Sequence, residues 1–328
     1  MIKEETISSD LFKEIINRVK TDIKTTRVRA ISNVNKELIL LYFRIGKVLY
    51  DNSKYGNSFI KNFSTEIRLS FPGIKGFSDR NLRRMKHFYN EYKDDSIWPQ
   101  LVAKLPWSHN TLLIEKIKDK NIRKIYIDAT IQNGWSRSVL ETQIDTRYHE
   151  RIGKSDNNFK QVLNKLDSDL INNTLKDPYI FDFISLSKEF KEKDLENAML
   201  ERIKDVLLEL GKGFSFIGSQ YKVSTELTDY YIDLLFYHLD LRCFIVLELK
   251  TTEFKPEYLG QIGFYVKSID NTLKRNNDNP TIGLLLCKKK DKLSIKWSLE
   301  STNVPVGISS FELNKYLPNI DELNKLLD

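Results

Sequence analysis

The chain has 328 residues, 41% hydrophobic and 30% charged, which excludes wholesale disorder and, at roughly 150 residues per domain, suggests about two domains. No apolar run approaches the ~18 residues of a membrane span, and the opening MIKEETISSDLFKE is polar where a secretory signal would be apolar. The net charge of +7 is uneven: residues 1–150 hold 27 Lys and Arg against 18 Asp and Glu, residues 151–328 hold 25 against 27.

The first half reads as helical. Residues 10–50 carry one long helical periodicity, with Leu38, Leu41, Tyr42 and Ile45 on one face, and Gly46 alone does not end it. A second helix is expected over 58–69, then the turn Phe71-Pro72-Gly73-Ile74-Lys75-Gly76, then a helix from Asp79 to about Tyr92 capped by Ser78. Pro99 and Pro106 break the next stretch, and helices follow over 109–118, 120–132 and 136–147. Residues 151–178, polar and poor in signals, read as a connection between a basic domain (1–150) and a second domain (179–328).

The second domain opens on a helix at 192–210 that ends at Gly211-Lys212-Gly213. Strands follow at 214–223, 229–237 and 242–250, a helix opened by Pro256 runs to about Ile269, and strands at 281–287 and 304–310 lead to a short closing amphipathic helix. The expected order is α-β-β-β-α-β-β. Cys243 and Cys287 both lie in apolar strand-like runs, which gives little support to a disulfide framework, a zinc site or a thiol nucleophile. The expectation is a cytosolic, reduced protein.

Charge and helix pattern give the first half two readings. On the 79–92 helix Leu82, Met85 and Tyr89 share a face, while Arg80, Arg83, Arg84 and Lys86 lie elsewhere. With the preceding helix and glycine-containing turn this makes a helix-turn-helix candidate, whose arginines would meet phosphates or base edges. The competing reading is a surface helix with solvated charges in a Lys-rich protein. In Trp107-Ser108-His109-Asn110, Ser108 is expected to cap a helix and Trp107 to pack, with no second ligand spaced to give His109 a chemical role.

In the second half, 229–237 and 242–250 form a hairpin. A loop over 238–241 would pair Tyr237 with Arg242 and set Asp233 opposite Val246, so that Asp233, Glu248 and Lys250 project to one face, with Glu248 a diagonal neighbour of Asp233. Two carboxylates there could share a hard cation, and a nearby ammonium would add positive charge at a phosphodiester. The short pattern [DE]-x-K occurs five times in the chain, so by itself it carries almost nothing. What separates Glu248/Lys250 is the apolar strand CFIVLELK, where charges are costly unless paired or metal-bound. Gln261 and Tyr265, one turn apart on the next helix, either face this group or pack.

An acid on a strand, a hairpin, E-x-K on the next strand and a Gln-x-x-x-Tyr helix resemble the PD-(D/E)XK nuclease superfamily. The runs GKGFSFIGSQY, YYIDLLFYH, LRCFIVLELK and EFKPEYLGQIGFYV resemble its YhcG-like branch of bacterial nucleases. GFSDRNLRRMKHFY, LPWSHN and NGWSRSVLETQI are similar to that branch's N-terminal domain. The resemblance implies a restriction-endonuclease-like αβββαβ core, a divalent metal and DNA as substrate; with the helical, helix-turn-helix-like first half, the expectation is an α+β protein using Mg²⁺ or Mn²⁺ as cofactor. It makes Asp233 and Glu248 metal ligands, Lys250 the catalytic lysine and Gln261 a helper. Glu196, or else Glu201, matches the acid on the first core helix, and Gln220 ends the first strand near the site. Ile232 stands where the superfamily has proline. A restriction or defence role, with partners from such a system, is implied by the resemblance alone. Many nucleases cut two strands as homodimers, though no dimer seam is legible here. A core kept only for binding, and RNA as substrate, are the competing readings.

Overall fold

The computed structural model describes residues 9–94, 101–186 and 190–313, which fold as two compact units, 1–144 and 145–328. Pro99 and the expected closing helix lie outside the described residues. No helix among those described is long and apolar enough to cross a membrane.

The first unit is helical. α1 (Ser9–Asp51) runs unbroken past Gly46, and α2 (Gly56–Ser70), α3 (Asp79–Tyr92), α4 (Trp107–Lys116), α5 (Lys120–Asn133) and α6 (Arg137–Asp145) follow. Gly46 marks the crossing of α1 over α3: a Cβ there would lie 2.2 Å from the Met85 carbonyl oxygen, so only glycine admits this approach. α3 starts where Ser78 accepts a hydrogen bond from Asn81 N, a side-chain N-cap. It buries Leu82, Met85, Phe88 and Tyr92 against Ile39, Tyr42 and Leu49 of α1. Trp107 joins that core edge-on to Phe88 and Tyr42, with ring centroids 5.2 and 4.9 Å away. α4 begins at Trp107 with Pro106 as its cap, so Ser108 is inside the helix and not its cap as expected. His109 is buried, its Nε2 3.0 Å from the Trp135 carbonyl oxygen.

The second unit holds a mixed seven-stranded sheet ordered β1 (Asp156–Asn157), β7 (Val306–Leu313), β6 (Ile282–Lys289), β5 (Cys243–Glu253), β4 (Asp229–His238), β3 (Phe214–Ser224), with β2 (Tyr179–Phe181) pairing β7. α7 (Tyr148–Arg151), β1 (Asp156–Asn157), α8 (Phe159–Val162), α9 (Lys165–Asn172) and β2 (Tyr179–Phe181) come first. The stretch expected to be a connection therefore belongs to this unit. Its Phe159, Ile171 and Leu175 are fully buried, and Arg151 and Lys176 close on Glu209.

Next come α10 (Glu192–Glu201) and α11 (Ile203–Leu210), two helices where one was expected, with Arg202 leaving helical geometry between them. β3 (Phe214–Ser224), β4 (Asp229–His238) and β5 (Cys243–Glu253) are antiparallel, whereas β5, β6 (Ile282–Lys289) and β7 (Val306–Leu313) are parallel. Parallel neighbours need crossover connections. α12 (Glu257–Thr272) supplies the first and α13 (Lys292–Glu300) the second; α13 was missing from the expected order, which becomes α-α-β-β-β-α-β-α-β from residue 192. One apolar cluster joins the sheet to α10 and α11, another joins it to α12 and α13. A sheet covered on both faces explains the near-continuous apolar runs of β5 and β6.

Candidate active site

The β4–β5 hairpin differs in register from the expectation. The turn spans 239–242, because Arg242 takes a left-handed φ of 50° and Leu241 N donates to His238 Nδ1 at 3.2 Å. His238 then pairs with Cys243 and Leu235 with Val246, which brings Asp233 level with Glu248 instead of diagonal to it. A shift of two residues leaves the side-chain face unchanged, since the strand repeat is two.

The β4–β5 ladder stops at Leu234 and Leu247. Beyond it the acids take over the missing backbone partners: Leu249 N donates to Asp233 Oδ2 at 2.9 Å, and Asp233 N donates to Glu248 Oε1 at 3.3 Å. Each carboxylate thereby fixes one oxygen and presents the other to the site. Glu248 Oε2 lies 3.7 Å from Lys250 Nζ, and Asp233 Oδ1 lies 3.5 Å from Gln220 Nε2. From α10, Glu196 Oε2 accepts from Gln220 Nε2 at 2.8 Å, and Glu192 Oε2 sits 3.3 Å from Lys250 Nζ. Glu201 is exposed at the far end of α10, so Glu196 is the acid brought to the group.

Sequence reasoning overlooked Glu192, although its i, i+4 spacing to Glu196 places both on one helix face. It also overlooked Tyr258, whose ring lies under the Lys250 ammonium at 5.4 Å. Gln261 is exposed, and its Nε2 donates to Tyr265 Oη at 3.3 Å. Tyr265 is buried and its hydroxyl pKa is raised by burial and, more weakly, by the Glu248 and Asp233 carboxylates. Gln261 thus pairs with Tyr265, whose hydroxyl feels the charge of the group.

Burial and crowding of like charge dominate the electrostatics. Burial, then the neighbouring Asp233 carboxylate, pushes Glu248 up to about 8. Burial raises Asp233 as well, and burial followed by Asp233 raises Glu196. For Lys250 burial works downward, but Glu248, Glu192 and Asp233 outweigh it and hold the ammonium above the usual lysine range. Both cysteine thiols are pushed up to about 12 by burial, which removes them as nucleophiles.

Among the described residues no group of three or more His, Cys, Asp or Glu is placed to enclose a metal. Asp233 and Glu248 nevertheless fit one kind of ion. They are hard oxygen donors with one oxygen each left for the site, and Mg²⁺ is typically held by one or two carboxylates while water and substrate complete its shell. A divalent cation would also offset the burial and, after it, the Asp233 repulsion that raise the Glu248 pKa and keep the carboxyl protonated.

That protonation has a measurable consequence. Between its ordinary 4.5 and about 8, folded metal-free protein holds a proton on Glu248 that the unfolded chain releases. Stability in EDTA should therefore fall as pH rises through this interval, and Glu248→Gln should flatten the dependence. Thermal melts at a series of pH values check this; an identical slope in the variant contradicts it.

In the first unit, Arg80 and Arg83 are exposed on α3 and Lys86 is half-buried. Arg84 Nη2 lies 2.7 Å from Glu115 Oε1 of α4, which counters its charge. Arg83, Lys86 and His87 line one shallow cavity with Tyr50 and Asn90.

Residues 172–328 match the family described as the YhcG PDDEXK nuclease domain, and residues 18–151 match the DUF1016 N-terminal domain. YhcG of Escherichia coli (strain K12) is 27% identical over 336 residues, covering 90% of this chain and 88% of that one. Among solved structures, a repair endonuclease from Pyrococcus abyssi is similar at 19% identity and a TM-score of 0.26, over 40% of this chain and 50% of that one. An EndoMS–double-stranded DNA complex is similar at 17% identity and a TM-score of 0.28, over 42% and 49%. The chain thus matches about half the length of each of these two.

Proposed function

The chain belongs to the YhcG-like branch of the PD-(D/E)XK nuclease superfamily, with that branch's helical N-terminal and mixed α/β C-terminal domains, and from this premise we propose that it hydrolyses DNA phosphodiesters with Mg²⁺ or Mn²⁺. The observation that carries the reading is the break in the β4–β5 ladder, where Asp233 and Glu248 each anchor one oxygen on backbone, leaving Glu248 Oε2 3.7 Å from Lys250 Nζ and Asp233 Oδ1 3.5 Å from Gln220 Nε2. A cation bound by these two oxygens would neutralise phosphoryl charge and lower the pKa of a bound water.

The chain's own residues supply the rest. Lys250, kept charged by Glu248, Glu192 and Asp233 against the effect of burial, is a donor only. In that state it can orient a water or stabilise developing charge, but it cannot accept a proton. Glu192 holds the ammonium over Tyr258 and limits its rotamers. Matched deoxyribose and ribose oligonucleotides, tested with Mn²⁺, check the substrate; the proposal expects the deoxyribose strand to be cut and fails if only the ribose strand is.

The basic first half supports a second role, DNA binding through α3. Arg80 and Arg83 present exposed charge there, and each phosphate contact contributes about 0.9 to the salt slope of binding to duplex DNA. The double variant Arg80→Ala/Arg83→Ala should bind duplex DNA more weakly and reduce the slope of log K against log salt by about 2 if each meets one phosphate. Fluorescence anisotropy over a salt series measures both quantities, and an unchanged slope removes α3 from the interface.

A further inference from the structure

The Gln220 backbone is unusual. It lies in the middle of β3 with φ 45°, in the left-handed region that a residue with a long side chain seldom adopts. Ser219 pairs with Leu234 and Tyr221 with Ile232, but the intervening pair, Gln220 and Asp233, drops out of the ladder. The interruption on β3 thus falls level with the one on β5. Strain of this kind persists only where surrounding contacts over-determine it.

The contact is the side chain. Its amide nitrogen lies 2.8 Å from Glu196 Oε2 and 3.5 Å from Asp233 Oδ1. An amide NH₂ carries two donors, one for each acid, so a single group spans the helix carboxylate and the strand carboxylate. A lysine or arginine there would also bridge them, but its charge would compete with a cation for the same oxygens. A neutral donor holds two anions close without cancelling the field that attracts the ion.

We infer that Gln220 is a positioning residue that draws Glu196 toward Asp233 and so completes the acidic wall of the cation site. This rests on the reading of Asp233 and Glu248 as metal ligands and goes beyond it by giving the β3 distortion a purpose.

Two substitutions separate side chain from backbone. Gln220→Gly suits the left-handed conformation and loses the amide; Gln220→Asn tolerates that conformation but is one methylene short. Mn²⁺ affinity, followed by electron paramagnetic resonance of the full chain without DNA, should fall about tenfold in each, the lower end of the range for residues that orient metal ligands, while the melting temperature of the glycine variant stays level or rises. In a Glu196→Gln background the same changes should alter affinity less than about twofold, because their target is gone.

Wild-type affinity in both variants, or full additivity with Glu196→Gln, overturns the inference while Asp233→Ala still abolishes binding. If wild type and Asp233→Ala bind Mn²⁺ alike, the site reading itself fails and the inference falls with it.

Discussion

Asp233→Asn is expected to lower DNA cleavage at least about 10³-fold, the effect of losing several kcal/mol of charge stabilisation at the reacting phosphate. Asparagine is the sharper probe than alanine. Its carbonyl oxygen can still accept from Leu249 N, the 2.9 Å bond that closes the end of the ladder, so the strands stay in place while the charge is lost. Alanine would leave that N–H without its partner and mix a folding defect into the result. The asparagine variant should also release Glu248, since Asp233 is the second cause of its raised pKa. Duplex affinity should stay within about threefold of wild type, because phosphate contacts dominate binding and those proposed here lie on α3. A variant that cuts at wild-type rate contradicts the ligand assignment.

Glu209→Ala should destabilise the second unit by about 3–5 kcal/mol, the typical result of removing one member of a buried ionic group. Glu209 Oε1 accepts from Arg151 Nη1 at 2.6 Å and Ile180 N at 3.0 Å, and its Oε2 accepts from Lys176 Nζ at 3.1 Å. Lys176 also donates to the Glu209 backbone oxygen. The side chains of all three charged residues are at most 5% exposed. Alanine would strand two buried cations, of which Lys176 is already lowered by burial and would give up its proton. Glu209→Gln should fall between, keeping some acceptors but no charge. Urea denaturation with paired measurements on the three proteins reads the difference, and a loss under about 1 kcal/mol would mean the cluster relaxes into water.

The same cluster explains what the sequence hid. Arg151, Lys176 and Glu209 are 58 residues apart at the extremes and carry no local signature, so 151–178 read as polar connection although Phe159 and Ile171 are core. Arg84 looked like its neighbours on α3, because its partner Glu115 lies 31 residues away. α13 was overlooked, though a parallel β6–β7 pair demands a connection of that kind. By contrast, the shared face of Asp233, Glu248 and Lys250 was legible despite an error in register. The hairpin was read two residues out of register, yet Asp233, Glu248 and Lys250 still came together, because strand alternation depends on parity and not on the turn. The Gln220 distortion could not be read in advance; no residue type at that position announces a positive φ.

Metal-dependent hydrolysis is expected of the Asp233–Glu248–Lys250 group. Its most direct test is incubation of plasmid and single-stranded DNA with wild type or Lys250→Ala, purified identically, in Mg²⁺, Mn²⁺ or EDTA. Wild type should cut in either metal and not in EDTA, and Lys250→Ala should not cut. Cutting that persists in EDTA or in the variant, or no cutting by wild type on either substrate, would contradict it.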